Sequence, residues 1–267
     1  MKVSQDAIDV YDKFVNHRKN LKTDRQKKKK AIMSHFIRIS RFHCEYKPFF
    51  QSLEQRHFLD SQVMALWTEN VNKKTKAAYE RSKNVLKKYV FSPYFTMRII
   101  VDPEEFDPSE VLKELKSQNL EYKIFKNDLL HFPVVKKSHW ILCTVNLLHN
   151  QNQIFDSMKD SKNQSILDEA ANNLFRNFRT LSAASELCIK DLSTFPLVTT
   201  DHPQQKTIFD CGFFTMLFIQ HFNAKVMLPF AKDDIPNFRM CVAGELIKNR
   251  DNTEDDLEAI MKEELED

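Results

Sequence analysis

The chain has 267 residues and a mass of 31.6 kDa, which suits one large domain with an appendage. Its formal net charge is only +3, and its 42% hydrophobic and 29% charged residues exclude extensive disorder. Glycine occurs only at positions 212 and 244, which excludes a glycine-rich phosphate loop. The five cysteines are scattered, and their spacing fits neither a disulfide framework nor a zinc site.

The two ends of the chain carry blocks of opposite charge. Residues 17–30 hold eight basic side chains and one acid, whereas residues 251–267 hold nine acids and one base. Such blocks are usually solvated helices or tails. A basic block also fits a nuclear localisation signal or a nucleic-acid patch, although no aromatic residues interleave with these lysines as single-strand binding would require.

No segment of the sequence predicts secretion or insertion into a membrane. The longest apolar run, near residues 213–219, is too short to span a bilayer. The first residues include Asp6, Asp9 and Asp12 and lack the apolar segment of a secretory signal. We therefore expect an intracellular protein in a reducing compartment, and the basic block favours the nucleus over the cytoplasm.

The first part of the chain predicts mainly helices. Apolar residues at helical spacing occupy residues 4–16 behind Ser4, a candidate cap. Another helix begins at Asp60 or Ser61 and has apolar residues along one face. Residues 107–110 combine a cap residue, a proline and an acid in the order that is typical of a helix start.

The middle of the chain changes to short strands, and helices return after them. Strands are predicted over residues 129–135, 139–147, 153–155 and 197–200. Helices are predicted over residues 166–181, 210–221 and 236–248. Strands clustered between helical blocks indicate an α+β fold with a largely antiparallel sheet.

Cys211 is the first candidate for chemistry. It stands where a polar loop becomes an apolar helix, so it is expected in the first helical turn. The exposed amide groups and the positive end of the helix dipole favour a thiolate there, and the thiolate is the nucleophilic form. Gly212 follows directly, which suggests that a substrate approaches the backbone closely. The alternative is a small hydrophobic residue buried at a helix start.

A catalytic thiolate needs a base and a residue that orients the base. His139 begins one predicted strand and Asp156 ends the next, so both would lie at the same open end of an antiparallel hairpin. Gln205, six residues before Cys211, could donate to the oxyanion that forms when the thiolate attacks a carbonyl. Each of these three residues alone is most simply an ordinary polar residue. They indicate catalysis only in combination with a candidate nucleophile.

Four separated motifs then become recognisable together. They are His139-Trp140, Phe155-Asp156-Ser157, Pro203-Gln204-Gln205 and Asp210-Cys211-Gly212. In order and spacing they resemble the signature of the ubiquitin-like-protein-specific cysteine proteases, the SUMO-protease group of the papain-like superfamily. The resemblance covers roughly residues 57–248, and residues 1–50 have no counterpart in it.

The resemblance implies a papain-like cysteine protease fold, α+β, with a small, central, mostly antiparallel sheet flanked by helices. It implies that Cys211 is the nucleophile and that His139 is the general base and then the acid. Asp156 would orient the histidine, and Gln205 would be the oxyanion donor. Trp140 would cover the narrow channel for a modifier's diglycine tail, although a tryptophan in a strand is also a common core residue. No cofactor and no metal are expected.

The same resemblance implies that Phe58, Asp60 and Ser61 contact the modifier. Phe58 stands where the family usually has a second tryptophan that lines the channel. Ser61 replaces an aspartate that faces the modifier in relatives, and the loop over residues 206–209 lacks the usual Asn-Gly. These departures leave the choice of modifier less defined than the chemistry.

We predict three parts: a helical, basic N-terminal extension over residues 1–50, a catalytic domain over residues 51–250, and an acidic tail over residues 251–267. The predicted function is a cysteine peptidase or isopeptidase that cleaves after the C-terminal diglycine of SUMO, for deconjugation or for precursor maturation. The expected partners are SUMO or a related modifier and its conjugates. Neither nucleic acid nor a membrane is expected as a partner, and the chain is expected to be a monomer.

Three alternatives remain open. One is the same chemistry on another ubiquitin-like modifier. Another is a catalytically weak or inactive modifier-binding domain, of the kind associated with transposons. The last makes residues 17–30 the functional centre, as an arm that binds nucleic acid with strong salt dependence.

Overall fold

A computed structural model describes residues 1–16, 35–158, 163–185, 188, 190–254 and 257. The basic block over residues 17–30 lies outside the described residues, as does most of the acidic segment over residues 251–267. The chain divides into two compact units. The first unit comprises Met1–Asn70, Thr207–Phe213 and Ala231–Asp267, and the second comprises Val71–Lys206 and Phe214–Phe230.

The described residues form helices and short strands in the following order. The helices are α1 (Gln5–Tyr11), α2 (Tyr46–Leu53), α3 (Ser61–Arg81), α4 (Pro93–Ile99), α5 (Pro108–Ser117), α6 (Glu121–Ile124), α7 (Gln164–Ala184), α8 (Cys211–His221) and α9 (Ile235–Ile247). The strands are β1 (His35–Ile39), β2 (Phe42–Glu45), β3 (Lys88–Val90), β4 (Leu129–Lys136), β5 (His139–Asn146) and β6 (Gln151–Phe155). A π-helical turn, Asp12–Asn16, extends α1, and a 3-10 turn covers Leu192–Thr194.

The first unit packs helices around the β1–β2 hairpin. α1 lies against α9, and α2 lies against α9 and both strands. Ser4 Oγ accepts a hydrogen bond from Ala7 N at 3.2 Å, which confirms the predicted cap. Gly244 on α9 lets the two helices approach, since a Cβ built there would lie 3.0 Å from Ala7 Cβ. The helix at the start of the chain thus belongs to the same packed unit as α9.

The second unit contains a four-stranded sheet in the order β3-β4-β5-β6. β3 pairs with β4 in parallel, and the other two pairings are antiparallel, so the mostly antiparallel sheet is confirmed. A two-residue turn joins β4 to β5, and both of its residues have positive φ, 49° at Lys137 and 62° at Ser138. This turn geometry matches the twist of paired strands and fixes His139 as the first residue of β5.

The core of the second unit forms where helices cover this sheet. α4 and α7 pack on β4, and α7 also packs on β5. The rings of Phe91 and Phe132 stack with centroids 4.4 Å apart, and Phe178 of α7 meets Phe132 edge-on at 4.9 Å. The predicted helices are confirmed here, since the apolar stripe of α7 is buried and Asp107 Oδ1 caps α5 by accepting from Ser109 N at 2.8 Å.

The predicted strand over residues 197–200 is wrong. Only Leu197 pairs, in an isolated parallel bridge with Asn152 of β6. Pro196 has no N–H to donate, so the pairing cannot extend toward the N-terminus. Toward the C-terminus, the carbonyl of Thr200 bonds to the ring of His202 at 2.7 Å instead of to a strand. This segment is therefore a loop that leads toward residues 201–207.

Within the second unit, the last turn of α8 is held by the amine of a half-buried lysine. Lys88 Nζ donates to Ile219 O at 3.0 Å and to Phe222 O at 2.6 Å. A cation at the C-terminus of a helix satisfies carbonyls that lack partners within the helix and complements the helix dipole. None of the described helices, α8 included, combines the length and the apolar character needed to cross a bilayer.

Removing the Lys88 amine is expected to change the response of stability to alkaline pH. Burial lowers the pKa of Lys88 from 10.5 to about 8, so above that pH the unfolded chain holds this proton more tightly than the folded chain does. The free energy of unfolding of the native protein should therefore rise, relative to Lys88→Met, from about pH 8 toward pH 10.5. Urea unfolding of both proteins across this interval measures the difference between their free energies of unfolding. The contributions of titratable groups that both proteins share cancel in this difference. A difference that stays constant with pH would contradict the lowered pKa.

Candidate active site

His139 and Asp156 meet at one end of the sheet. His139 starts β5, and Asp156 directly follows Phe155, the last residue of β6. Because Phe155 pairs with Leu142, continuing the register sets Asp156 opposite Ile141 and diagonal to His139. A hydrogen bond of 2.7 Å joins His139 Nε2 to Asp156 Oδ1, and both side chains are buried. The predicted meeting of the two residues is confirmed.

This hydrogen bond decides which imidazole nitrogen carries the proton. A carboxylate oxygen only accepts, so His139 Nε2 donates and Nδ1 is the nitrogen that can accept a proton in the neutral ring. Asp156 Oδ1 also accepts from Met158 N at 2.9 Å, which holds the carboxylate in place. A histidine oriented in this way is suited to act as a general base through Nδ1.

Two residues of the loop over residues 201–207 hold the backbone of Asp156. Gln204 Nε2 donates to Asp156 O at 2.9 Å. His202 Nε2 lies 2.9 Å from Asp156 O and 3.2 Å from Asp156 N, and the His202 ring meets the ring of Phe155 edge-on at 5.5 Å. The sequence pattern predicted no role for His202 or Gln204. Both contacts join residues more than forty positions apart, and a local pattern contains no signal for such a contact.

Gln205 is held beside the residue that follows Asp156. Gln205 N donates to Ser157 O at 2.8 Å, and Ser157 Oγ donates to Gln205 Oε1 at 2.6 Å. The amide nitrogen Nε2 makes a weak contact of 3.9 Å with Met158 Sδ. With Oε1 engaged as an acceptor, the amide has one orientation, and Nε2 is its donor end.

Cys211 is the first residue of α8, as the sequence predicted, and 0% of its side chain is exposed. It lies in the first unit, whereas His139, Asp156 and Gln205 lie in the second. Asp210, directly before it, accepts from Arg239 Nη2 at 2.8 Å. The start of this helix is therefore held by an ion pair between a buried arginine and a half-buried aspartate.

The residues predicted to contact a modifier occupy different settings. Phe58 is 43% exposed, and its ring lies edge-on to Phe209 at 5.1 Å. Asp60 Oδ1 accepts from Gln62 N at 2.8 Å, so this carboxylate also caps α3, and Ser61 is the half-buried first residue of that helix. The structure thus adds a structural role for Asp60.

Trp140 follows His139 in β5 and pairs with Val135 of β4. Its side chain is 1% exposed. Such burial agrees both with a core residue and with the cover of a narrow channel, so the channel role stays a prediction.

The other cysteines lie in settings that disfavour a thiolate. Burial raises the pKa of the Cys143, Cys188 and Cys241 thiols, and the Asp156 charge raises that of Cys143 further. Cys44 is buried and donates to Glu45 O at 3.2 Å. In the part of the chain that the structure describes, no three His, Cys, Asp or Glu side chains group as metal ligands would. These four cysteines suit packing roles.

A comparison with protein families finds one match over most of the chain. The model of the Ulp1 protease family, C-terminal catalytic domain, matches residues 56–252. This range contains all eight residues that the sequence analysis singled out as catalytic or substrate-binding.

Curated proteins of Arabidopsis thaliana resemble the chain at low identity. Ubiquitin-like-specific protease 1A is 25% identical over 166 residues, which are 62% of this chain and 32% of the relative. Putative ubiquitin-like-specific protease 1B is 22% identical over 201 residues, which are 75% of this chain and 57% of the relative. The chain thus spans from about a third to somewhat more than half of the length of these relatives.

Solved structures show the same fold. The C-terminal Ulp1 protease domain in complex with Smt3, the yeast ortholog of SUMO, matches with a TM-score of 0.67 and 17% identity, over 94% of this chain and 98% of that chain. The Chaetomium thermophilum Ulp1-like SUMO protease catalytic domain matches with a TM-score of 0.64 and 15% identity, over 98% of this chain and 95% of that chain. The α+β protease fold predicted from the sequence is confirmed.

Proposed function

The chain belongs to the Ulp1 protease family, and we propose that it is a cysteine peptidase and isopeptidase that cleaves after the C-terminal diglycine of SUMO. The observation that carries the proposal is the buried hydrogen bond of 2.7 Å between His139 and Asp156, inside the range that matches the catalytic domain of the family. The scissile bond is the amide between the last glycine and a target lysine, or the peptide bond that follows this glycine in a precursor.

The first half of the proposed reaction forms a thioester. His139 Nδ1 takes the proton of the Cys211 thiol, and the sulfur attacks the carbonyl carbon of the last glycine. The carbonyl oxygen becomes an oxyanion in the tetrahedral intermediate. His139 then gives its proton to the leaving amine, and the C–N bond breaks.

The second half returns the enzyme to its starting state. A water molecule attacks the thioester carbonyl and gives a proton to His139 Nδ1. The C–S bond breaks, the modifier leaves with a free carboxyl group, and the sulfur recovers its proton from the histidine. The chemistry balances without an added redox partner.

Asp156 orients His139 in this scheme and stabilises its charged form. The imidazolium that forms after proton transfer is buried, and a buried cation needs a nearby opposite charge. The hydrogen bond to Oδ1 supplies this charge and keeps the proton on Nε2. His202 and Gln204 would affect His139 indirectly, because they hold the backbone of Asp156.

Gln205 is proposed as the donor to the oxyanion, together with backbone amides at the start of α8. Ser157 Oγ bonds Gln205 Oε1 at 2.6 Å, so the amide is oriented before substrate arrives. A donor that is already oriented stabilises developing charge without reorganisation during the reaction.

Gln205→Glu is expected to lower kcat by about 10²- to 10³-fold, because a carboxylate accepts but does not donate and adds repulsion to the oxyanion. A glutamate still accepts from Ser157, so the side chain should keep its place. Steady-state cleavage of a SUMO–reporter fusion measures kcat. Gln220→Glu makes the same change at an exposed position of α8 and should retain native kcat. Equal activity of the two variants would contradict the oxyanion role.

The selectivity for a diglycine tail is proposed to follow from a narrow channel, which Trp140 would cover and Phe58 would line. Only glycine passes an aromatic constriction without a side-chain clash. The ring contact of Phe58 with Phe209 supports an apolar wall beside the nucleophile helix in the first unit.

The choice of modifier is tested with a panel of fusions. SUMO, ubiquitin and a third ubiquitin-like modifier are each joined through their C-terminal diglycine to the same reporter, and kcat/KM is compared. We expect the SUMO fusion to be cleaved at least about 100-fold more efficiently. A SUMO fusion with alanine as its last residue is the matched control for the channel and should resist cleavage.

The other outcomes of the panel, together with measurements of binding to SUMO and to nucleic acid, identify the alternatives. Preferred cleavage of another modifier would keep the chemistry and change the substrate. Binding of SUMO by the folded protein without cleavage of any fusion would indicate a modifier-binding domain. Affinity for nucleic acid that falls steeply with salt and disappears when residues 17–30 are deleted would favour the third alternative.

Residence in the nucleus is proposed from the basic block over residues 17–30. Neutralising the four lysines over residues 27–30 should move a fluorescent fusion out of the nucleus. An unchanged distribution would count against the block as the signal.

A further inference from the structure

Arg239 is a buried cation beside the nucleophile. It lies on α9, and 1% of the residue is exposed. Its Nη2 donates to Asp210 Oδ1 at 2.8 Å. The guanidinium also donates to four main-chain oxygens, those of Ser52 at 2.7 Å, Glu54 at 3.0 Å, His57 at 3.1 Å and Phe209 at 3.4 Å.

These contacts reach both sides of Cys211. Phe209 and Asp210 precede the cysteine, and both bond to Arg239 Nη2. Phe213 follows it, and the centre of its ring lies 4.0 Å from Arg239 Cζ, in cation–π contact. The first turn of α8 is therefore held from the residues before and after the sulfur.

The remaining contacts hold the stretch of chain that leads into the segment over residues 58–61, which is predicted to face the modifier. His57 O, directly before Phe58, bonds to the same Nη2 as Asp210. Ser52 O accepts from Nη1, and the hydroxyl of Ser52 accepts from Asp60 N at 2.8 Å. One guanidinium thus joins the nucleophile turn to this segment.

A lysine could not make this set of contacts. A guanidinium presents five donors in a planar fork, whereas a lysine ammonium presents three from one point. Burial lowers the pKa of Arg239, and the hydrogen bond and charge of Asp210 raise it. A buried cation is tolerated because both terminal nitrogens donate hydrogen bonds and because a carboxylate lies beside it.

We propose that Arg239 is a positioning residue that sets Cys211 and the segment over residues 58–61 in register with each other. The inference rests on the proposed function, in which this cysteine attacks the modifier tail. Without the fork, the nucleophile turn and the segment shift separately. The sulfur and the substrate carbonyl then lose alignment, and displacements of about 1 Å at a reacting centre can cost about 100-fold in rate.

Two variants separate the fork from its charge. Arg239→Lys keeps the cation and removes the fork, and Asp210→Asn keeps an accepting oxygen and removes the carboxylate charge. On the SUMO–reporter fusion, we expect kcat to fall about 100-fold for Arg239→Lys with a rise in KM. For Asp210→Asn we expect a fall of about 10-fold. Lys248→Met removes an exposed cation just after the same helix, paired with Asp6 at 2.8 Å, and should behave as the native protein does.

A second measurement needs no modifier. The Cys211 side chain is 0% exposed, so chloroacetamide should reach and alkylate the sulfur more readily when its helical turn is held less tightly. Loss of the fork should speed this alkylation about 10-fold while kcat falls. Mass spectrometry of peptides measures the rate, with Cys188 in the same molecule as the internal reference. Slower catalysis with faster alkylation is the signature of lost positioning.

The outcomes distinguish this inference from the proposed function. Native kcat and native alkylation in folded Arg239→Lys would overturn the positioning role, and so would a fall in kcat without faster alkylation. If the native protein cleaves no fusion but the variant still alkylates faster, the proposed function fails and the positioning of Cys211 stands. If Arg239→Lys does not fold, Asp210→Asn decides by the same two measurements.

Discussion

Cys211→Ser is expected to lose at least about 10⁴-fold in kcat/KM on a SUMO–reporter fusion, because a serine hydroxyl is a far weaker nucleophile than a thiolate. The same change should abolish the covalent adduct with a SUMO that carries a thiol-reactive group at its C-terminus. Because the serine hydroxyl enters a buried site, some loss of thermal stability is expected, so the activity of the variant is compared per folded molecule. A mass increase of one modifier in the native protein alone would identify the nucleophile.

Cys241→Ser is the matched control. Cys241 is half-buried on α9, and burial raises the pKa of its thiol, so it should not form the adduct. This variant should label and turn over as the native protein does. If the adduct persists in Cys211→Ser and disappears in Cys241→Ser, the reactive thiol lies on α9 and not on α8. This result would refute the proposed mechanism.

The second large effect is expected at His139, the proposed general base. His139→Gln should lower kcat by about 10²- to 10⁴-fold, the usual contribution of general acid–base catalysis. The glutamine amide can still donate to Asp156, which limits the cost of leaving a buried carboxylate without its partner. The effect on turnover should therefore greatly exceed the effect on folding. Steady-state kinetics and thermal unfolding of the same preparation separate the two.

His131→Gln is the control for a buried histidine in the same sheet. His131 Nδ1 lies 2.9 Å from Thr144 Oγ1, and burial, together with the Lys88 charge, lowers its pKa well below 6.5. It is neutral when folded, so the change to glutamine conserves charge. We expect altered stability and native kcat per folded molecule. Native turnover in His139→Gln, or a large loss in His131→Gln, would show that the base had been misassigned.

The antiparallel part of the sheet was predictable because its signals are local. Short apolar runs separated by polar breaks mark β4, β5 and β6, and adjacent strands pair across short connections. His139 and Asp156 are 17 residues apart on neighbouring strands, so the hairpin alone brings them together. The caps at Ser4 and Asp107 were predictable for the same reason, since each bonds to an amide within three residues.

Other elements depend on partners that are distant in the chain. β3 is three residues long and forms by parallel pairing with β4, about forty residues later, so no local alternation indicates it. From the sequence alone, Lys88 would be predicted to be an exposed lysine. Its amine nevertheless donates hydrogen bonds to the last turn of α8, more than 130 residues away. The apolar residues over 197–200 predicted a strand, but Pro196 and the bond to His202 prevent one.

The amino-acid sequence by itself predicted the reaction class that we propose, through the order and spacing of four motifs that resemble one family: a cysteine at a helix start, a histidine and an aspartate on paired strands, and a glutamine before the cysteine. The tertiary structure decided what holds these groups. His202 and Gln204 bond to Asp156 from 46 and 48 residues away, and Arg239 donates hydrogen bonds to residues that lie between 29 and 187 positions from it. Hydrophobic periodicity and helix caps depend on contacts between residues that are close in the sequence, so the sequence reveals them. The partner of a buried polar group depends on which distant segments pack together, and this only the tertiary structure shows.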